Sequence, residues 1–132
     1  MASEFQNIRD KIGGDKFSRF MGIQLVELRE GYGKMRMTVT GDMINFHNTA
    51  HGAAIFALAD AAFAAAANSY GNTAVALSMN INYRSPANEG MELTAEASEE
   101  SRGRRTALYR IVVRSTERII AIAQGTVYVR SE

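Results

Sequence analysis

Cysteine is absent from this 132-residue chain, and proline occurs once. The first absence excludes disulfides, zinc–thiolate sites and cysteine nucleophiles. An excess of charge is missing too: 15 basic residues face 14 acidic ones, a formal net charge of +1. That balance excludes nucleic-acid binding through bulk charge, though not a local basic patch. No apolar run is long enough to span a membrane. The most apolar stretch, Ala53 to Ala67, carries Asp60 and falls short of the roughly 17–25 residues a span requires. The start, Met1-Ala2-Ser3-Glu4-Phe5, has no basic segment leading into an apolar one, so no secretory leader is expected. Together these features point to a cytoplasmic protein without membrane or nucleic-acid partners.

What is present is ordinary globular composition, 46% hydrophobic and 22% charged, at a length typical of one domain. We therefore expect a single domain over 1–132. Ser3 is placed to cap a short helix carrying Phe5, Ile8 and Ile12, which Gly13-Gly14 stops. Strands are expected over 23–30 and 34–40, joined by a turn at Gly31-Tyr32-Gly33. A polar loop over 41–49 precedes a helix from about His51 to Ser69, with Asn48 or Thr49 as its cap. Four strand-like runs follow, over 73–83, 91–99, 106–115 and 118–130. In the first of them Val75, Leu77, Met79, Ile81 and Tyr83 alternate with Ala76, Ser78, Asn80 and Asn82. The order implies an α+β fold in which one alanine-rich helix packs on an antiparallel sheet. Met35, Met37, Met79 and Met91 read as core rather than as a tailored pocket.

Asp60 is the most informative residue. Between His51 and Tyr83 it is the only Asp, Glu, Lys or Arg. Its neighbours one helical turn away, Phe56, Ala57, Phe63 and Ala64, cannot pair with it. An unpaired carboxylate in an apolar helix is costly unless water or a polar group reaches it. Either it lies on a solvated stripe or meets a hydroxyl from the sheet, or it is kept in a cleft for general-base or nucleophilic work. At the start of the same helix, His51-Gly52 falls where backbone N–H groups lack intrahelical acceptors and the dipole is positive. A glycine there lets a substrate oxygen approach the amide, as in an oxyanion hole. Eight residues separate Gly52 from Asp60, roughly 12 Å along the axis at about 1.5 Å per residue. Both must reach one carbonyl if they serve one reaction, so they would have to come from different subunits across a two-fold axis.

Asn45, His51-Gly52, Phe56-Ala57-Leu58-Ala59-Asp60, Ala62-Phe63, Asn68-Ser69 and Tyr83-Arg84-Ser85-Pro86-Ala87 together resemble the phenylacetic-acid-degradation branch of the hotdog-fold acyl-CoA thioesterases, within the 4-hydroxybenzoyl-CoA thioesterase superfamily. The resemblance covers nearly the whole chain. It implies a long helix wrapped by a curved antiparallel sheet, a catalytic homodimer often assembled into a homotetramer, and hydrolysis of an acyl-CoA such as an aryl-acetyl or medium-chain ester. It further implies that Asp60 is nucleophile or base, that Gly52 supplies the polarising amide, that Asn45 helps hold the site, and that Ser78 helps position water. CoA is then part of the substrate, and no separate cofactor is implied. His51 either orients the loop or is structural. Arg84 and the Arg102-Gly103-Arg104-Arg105 cluster are candidates for the CoA phosphates, with a charged hairpin tip as the competing explanation. Two positions depart from the family pattern: Ala53 replaces a second glycine, and Ala61 a small polar residue.

Rival readings are weaker. His47 and His51 are four apart but lack the glutamate of a zinc-protease motif, so no metal is expected. Ser78, His51 and Asp60 lack a nucleophile elbow for a triad. A hydratase or dehydratase on the same fold would need a histidine beside the acid, yet His51 lies about 14 Å along the helix from Asp60. A non-catalytic acyl-CoA-binding module would need the pocket without the acid.

Overall fold

The computed structural model describes residues 3–130. The Met1-Ala2 start and the ends of the expected domain, 1–2 and 131–132, lie outside the described residues. Helix α1 spans Glu4–Gly13, and the Ser3 hydroxyl accepts the Gln6 N–H as foreseen. A second short helix, α2 at Lys16–Phe20, was not foreseen. Asp15 caps it, its carboxylate accepting from the Ser18 N–H at 3.0 Å and the Ser18 hydroxyl at 2.8 Å. Gly13-Gly14 ends α1 as expected, and α2 follows it directly.

Strands β1 (Gln24–Arg29) and β2 (Tyr32–Thr38) form a hairpin whose turn is Glu30-Gly31, with Gly31 at φ +76°. Tyr32 and Gly33, read from sequence as turn residues, pair instead with Arg29 and Leu28. After a 3₁₀ turn at Gly41–Met43 comes α3, Gly52–Ala67, followed by β3 (Ala74–Tyr83), β4 (Glu92–Arg102), β5 (Thr106–Arg114) and β6 (Ile119–Val129). All strand pairs are antiparallel, in the order β1-β2-β4-β5-β6-β3. The α+β architecture, with one long helix packed on an antiparallel sheet, is the one expected.

The sheet closes tightly on α3 because small residues meet on both sides. Ala54, Ala62, Ala65 and Ala66 are buried on the helix. On β2, a side chain at Gly33 would come within 2.9 Å of the Ala65 Cβ and 3.0 Å of the Ala66 backbone nitrogen. On β6, one at Gly125 would strike the Phe63 ring. Phe63 and Tyr109 fill the space between helix and sheet, with ring centroids 5.9 Å apart. Met35 and Met37 are buried, and Met79 and Met91 pack partly against the core.

Strand β3 departs from a core strand. It lies at the sheet edge beside β6, bulges between Ala76 and Ser78, and leaves Val75 and Leu77 about half exposed. Within its alternating row Met79 and Ile81 pack partly against the core, while Val75, Leu77 and Tyr83 are exposed. Among the described residues no helix is long and apolar enough to cross a membrane.

The contact at Gly33 generates a test. Gly33→Ala must push α3 backbone away from β2, so it should destabilise the protein by about 1–3 kcal/mol, read as a lower midpoint of urea unfolding. An unchanged midpoint would show that the sheet does not bear on the helix there.

Candidate active site

The amino end of α3 is built by its own first residues and by a tight preceding loop. His51 is the cap, which corrects the expectation of Asn48 or Thr49. Its Nδ1 accepts the Ala53 N–H at 3.0 Å, and its carbonyl accepts from Ala54 and Ile55 at 3.0 and 3.3 Å. An accepting Nδ1 leaves the imidazole proton on Nε2. The Gly52 N–H alone in this first turn has no acceptor among the described residues. Tyr83, at the end of β3, donates its hydroxyl to the Gly52 carbonyl at 3.1 Å. Burial pushes that hydroxyl's pKa up, so it remains a donor through neutral pH. A Cβ at position 52 would sit 3.3 Å from the Tyr83 ring, so glycine leaves the amide uncovered. Gly52, Tyr83, Arg84 and Ser85 line a shallow cleft of about 290 Å³.

Asn45 acts on the loop rather than directly on this cleft. Its side-chain carbonyl accepts from the His47 and Thr49 N–H groups at 2.9 and 3.1 Å and from the Thr49 hydroxyl at 3.3 Å. Asn48 completes the turn at φ +70°. The loop is then pinned by the His51 N–H to the Met43 carbonyl, 2.6 Å, and the Ala50 N–H to the Ala87 carbonyl, 2.8 Å. His47 lies at the loop tip with its ring against the exposed Phe46, 4.1 Å between centroids.

Asp60 occupies a different concavity. The exposed residues of α3 are Ala53, Asp60 and Ala64, with Gly52, Phe56, Ala57 and Ala61 partly exposed beside them. Asp60 and the alanines near it form one wall of a cleft of about 310 Å³, with Ile8 and Ile12 of α1, Phe17 of α2 and Met35 of β2 opposite. Water reaches the carboxylate, yet these walls desolvate it. Desolvation is the main reason that its pKa lies above the ordinary 3.8, and the nearby Asp15 carboxylate adds to the rise. Among the described residues it has no hydrogen-bond or ion-pair partner. The sheet hydroxyl that might have satisfied it is engaged elsewhere: Ser78 bonds Thr126 at 2.8 Å on the β3–β6 ladder.

The arginine candidates divide in the same way. Arg84 borders the Gly52 cleft. Arg102 lies beyond the other end of α3, bonded to Glu99 at 3.3 Å and stacked over Tyr70 at 4.0 Å. Arg104 and Arg105 are exposed between β4 and β5. A single chain therefore brings His51, Gly52, Asn45 and Arg84 to one end and sets Asp60, Ser78 and the three remaining arginines apart from them. Two contributors went unread in the sequence. Tyr83 was part of a quoted motif but had no assigned role, and Asp15 acts on Asp60 only through tertiary proximity.

Comparison with known proteins places this geometry in context. The family model described as "Thioesterase superfamily" matches residues 47–122. The acyl-coenzyme A thioesterase PaaI of Escherichia coli K12 is 36% identical over 122 residues, covering 92% of this chain and 87% of that one. The solved E. coli PaaI structure, from the phenylacetic acid degradation operon, has a TM-score of 0.92 at 33% identity, covering 97% of this chain and 94% of the other. The structure of smu.793 from Streptococcus mutans bound to acetyl CoA has a TM-score of 0.79 at 26% identity, covering 83% and 90%.

The raised pKa of Asp60 has a definite consequence for stability. An acid whose folded value exceeds its unfolded one costs stability when both states are ionised, and that cost fades as pH falls through the folded value. Asp60→Asn should therefore unfold at a higher temperature than the wild type at neutral pH. The difference should close as pH falls toward 3.8. Thermal melts across pH check this, and a gap independent of pH would contradict the desolvated setting.

Proposed function

The chain belongs to the thioesterase superfamily and has its hotdog fold, and from that premise we propose that it hydrolyses an acyl-CoA thioester at a site completed by two copies. The observation that carries the proposal is the division of the chemistry on one rigid helix. A bare N–H at Gly52 and a desolvated, unpartnered carboxylate at Asp60 stand roughly 12 Å apart along α3. Neither suffices alone, and one copy cannot converge them on a carbonyl.

Two α3 helices running antiparallel across a two-fold axis would bring Gly52 of one copy beside Asp60 of the partner subunit, making two equivalent sites. The uncovered features suit such a pairing. The outward stripe of α3 is small and mostly apolar, and β3 offers a free edge with Val75 and Leu77 exposed. In such a dimer the thioester carbonyl accepts from the Gly52 N–H, whose helix-end dipole stabilises the developing negative charge. The carboxylate then attacks the carbonyl carbon, expelling CoA thiolate and leaving an anhydride for water to open. Alternatively it takes a proton from water, whose hydroxide displaces the thiolate directly. His51 and Tyr83 hold the donor, Asn45 holds the loop before it, and Ser78, bonded to Thr126 but exposed, keeps a second hydrogen-bonding position for water. Arg84 suits a CoA phosphate at the mouth of the Gly52 cleft, with Arg102, Arg104 and Arg105 able to contribute only from elsewhere in the assembly.

A non-catalytic acyl-CoA-binding module would need none of this placement. Asp60→Asn should lower thiol release from acyl-CoA by about 10²–10⁴-fold while leaving binding intact. Wild-type turnover in that variant would remove the acid from the reaction. For the wild type, kcat/KM should rise with pH as Asp60 ionises, with its acid limb above 3.8.

Gly52→Pro deletes the donor and adds a Cβ about 3.3 Å from the Tyr83 ring, which must give by a few tenths of an ångström. Proline is tolerated at the first helical residue, and His51 already has the extended conformation, φ −62° and ψ 137°, that a following proline demands. Its activity should drop by about 10²–10³-fold. Mixing inactive Gly52→Pro with inactive Asp60→Asn should restore thiol release, because each hybrid dimer regains one intact site. Failure to complement, with subunit exchange demonstrated, would place both groups' function within one chain and overturn the shared site.

A further inference from the structure

A second concavity lies on the other side of α1 from Asp60. Arg9 of α1, Arg19 of α2 and Arg36 of β2 line it, together with Asp10, Gln24 and a floor that includes Gly13 and Gly22. None of these residues borders the Asp60 cleft or the Gly52 cleft. The site sits by β1, at one edge of the sheet, whereas Tyr83, beside Gly52, ends β3 at the opposite edge. The match to the superfamily model begins at residue 47, so it contains none of the three arginines.

These guanidinium groups have no ion-pair partner among the described residues. Elsewhere the chain does supply partners, pairing Arg29 with Glu27 and Arg102 with Glu99. Asp10 shares the concavity, yet its Oδ1 accepts the Gln6 side-chain amide at 2.8 Å rather than an arginine. Arg36 donates to the Gln24 side-chain carbonyl at 2.8 Å, and Arg9 and Arg19 make no side-chain hydrogen bond among the described residues. Helix dipoles account for only one of the three. Arg19 lies in the last turn of α2, but Arg9 precedes the last turn of α1 and Arg36 is on a strand.

Three arginines against one aspartate leave two positive charges in excess, and they repel one another unless an anion is shared. Planar guanidinium forks match phosphate oxygens in shape as well as charge. The concavity, about 800 Å³, is larger than either of the other two clefts. A Cβ at Gly13 or Gly22 would meet nothing within 4 Å, so its floor is open. That space admits a diphosphate with an organic group attached.

We propose that Arg9, Arg19 and Arg36 form an anion site for a diphosphate-bearing ligand, apart from the Gly52 and Asp60 clefts. The same chemistry has two sources, the nucleotide end of CoA and a free nucleoside diphosphate. The site does not depend on the hydrolytic reading, because binding alone decides it.

The test titrates the full chain with ADP and with inorganic pyrophosphate by calorimetry. It compares the wild type, Arg19→Gln, the Arg9→Gln and Arg36→Gln pair in one chain, and Arg118→Gln as a control for lost charge. Arg118 is exposed between β5 and β6, outside the concavity. Arg19 is exposed and unbonded through its side chain, so its loss leaves the fold in place, and thermal melts check this. The wild type should bind both ligands saturably. Arg19→Gln should weaken binding by about tenfold or more, the paired variant further, and Arg118→Gln by less than about twofold. No saturable binding, or equal weakening in Arg118→Gln, would overturn the site. Kinetics of acyl-CoA cleavage then separates the sources. A raised KM at unchanged kcat in Arg19→Gln assigns the site to the CoA end, and an unchanged KM assigns it to a free nucleoside diphosphate. A wild type that bound ADP but released no thiol would leave the site standing and overturn the hydrolytic reading instead.

Discussion

One rigid helix sets the distance between an unpaired amide and an unpaired acid. Gly52 and Asp60 lie on the same 16-residue α3, and helical rise keeps them roughly 12 Å apart whatever the loops do. No side-chain rotation within one copy closes that gap. A reaction that used both groups at one carbonyl would require a second copy, and that condition comes from helix geometry. The free donor, the desolvated carboxylate and the uncovered stripe that joins them are three aspects of this one constraint.

The helix can hold such a stripe because its two faces are built differently from the same small residue. Toward the sheet, alanines permit an approach so close that Gly33 and Gly125 must lack side chains. Toward solvent, alanines at 57, 61 and 64 leave open space beside Asp60, which α1 and α2 wall on the far side. Close packing on one side seats the rod directly on the sheet. Loose packing on the other leaves a carboxylate that is wetted but poorly solvated, and Asp15 from α2 raises its pKa further.

The amino end of α3 shows a similar economy of parts. His51 fills the acceptor role that an Asn or Ser takes at most helix starts, satisfying Ala53 and leaving Gly52 bare. Asn45 shapes the loop that delivers His51, and Tyr83 reaches from the edge strand to the Gly52 carbonyl. Each of these bonds fixes part of the backbone around the Gly52 N–H.

Much of this was legible in the residues. The helix, the strands and their antiparallel order follow from alternation and glycine punctuation, and the isolation of Asp60 follows from counting charges over 51–83. Less legible were the α2 helix, hidden because Asp15 capping looks like a continuing loop, and the true turn at Glu30-Gly31, since Gly33 is glycine for packing rather than for turning. The exposure of β3 was also unreadable: Val75 and Leu77 alternate as a core strand would, and only sheet order places them at an edge.

The sequence by itself determined the local periodicities, the spacing of donor and acid, and the absence of any neighbouring charge on the helix, because these depend on residues close in the chain. Only the tertiary structure decided that His51 rather than Thr49 caps α3, that Asp15 faces Asp60, that Ser78 is spent on Thr126, and that Arg102 is bound to Glu99 far from Arg84. Asp15 with Asp60 and Ser78 with Thr126 join residues far apart in sequence, the His51 cap turns on a backbone angle, and the separation of Arg102 from Arg84 is set by strand order, so all of them exist only after the sheet has closed around the helix.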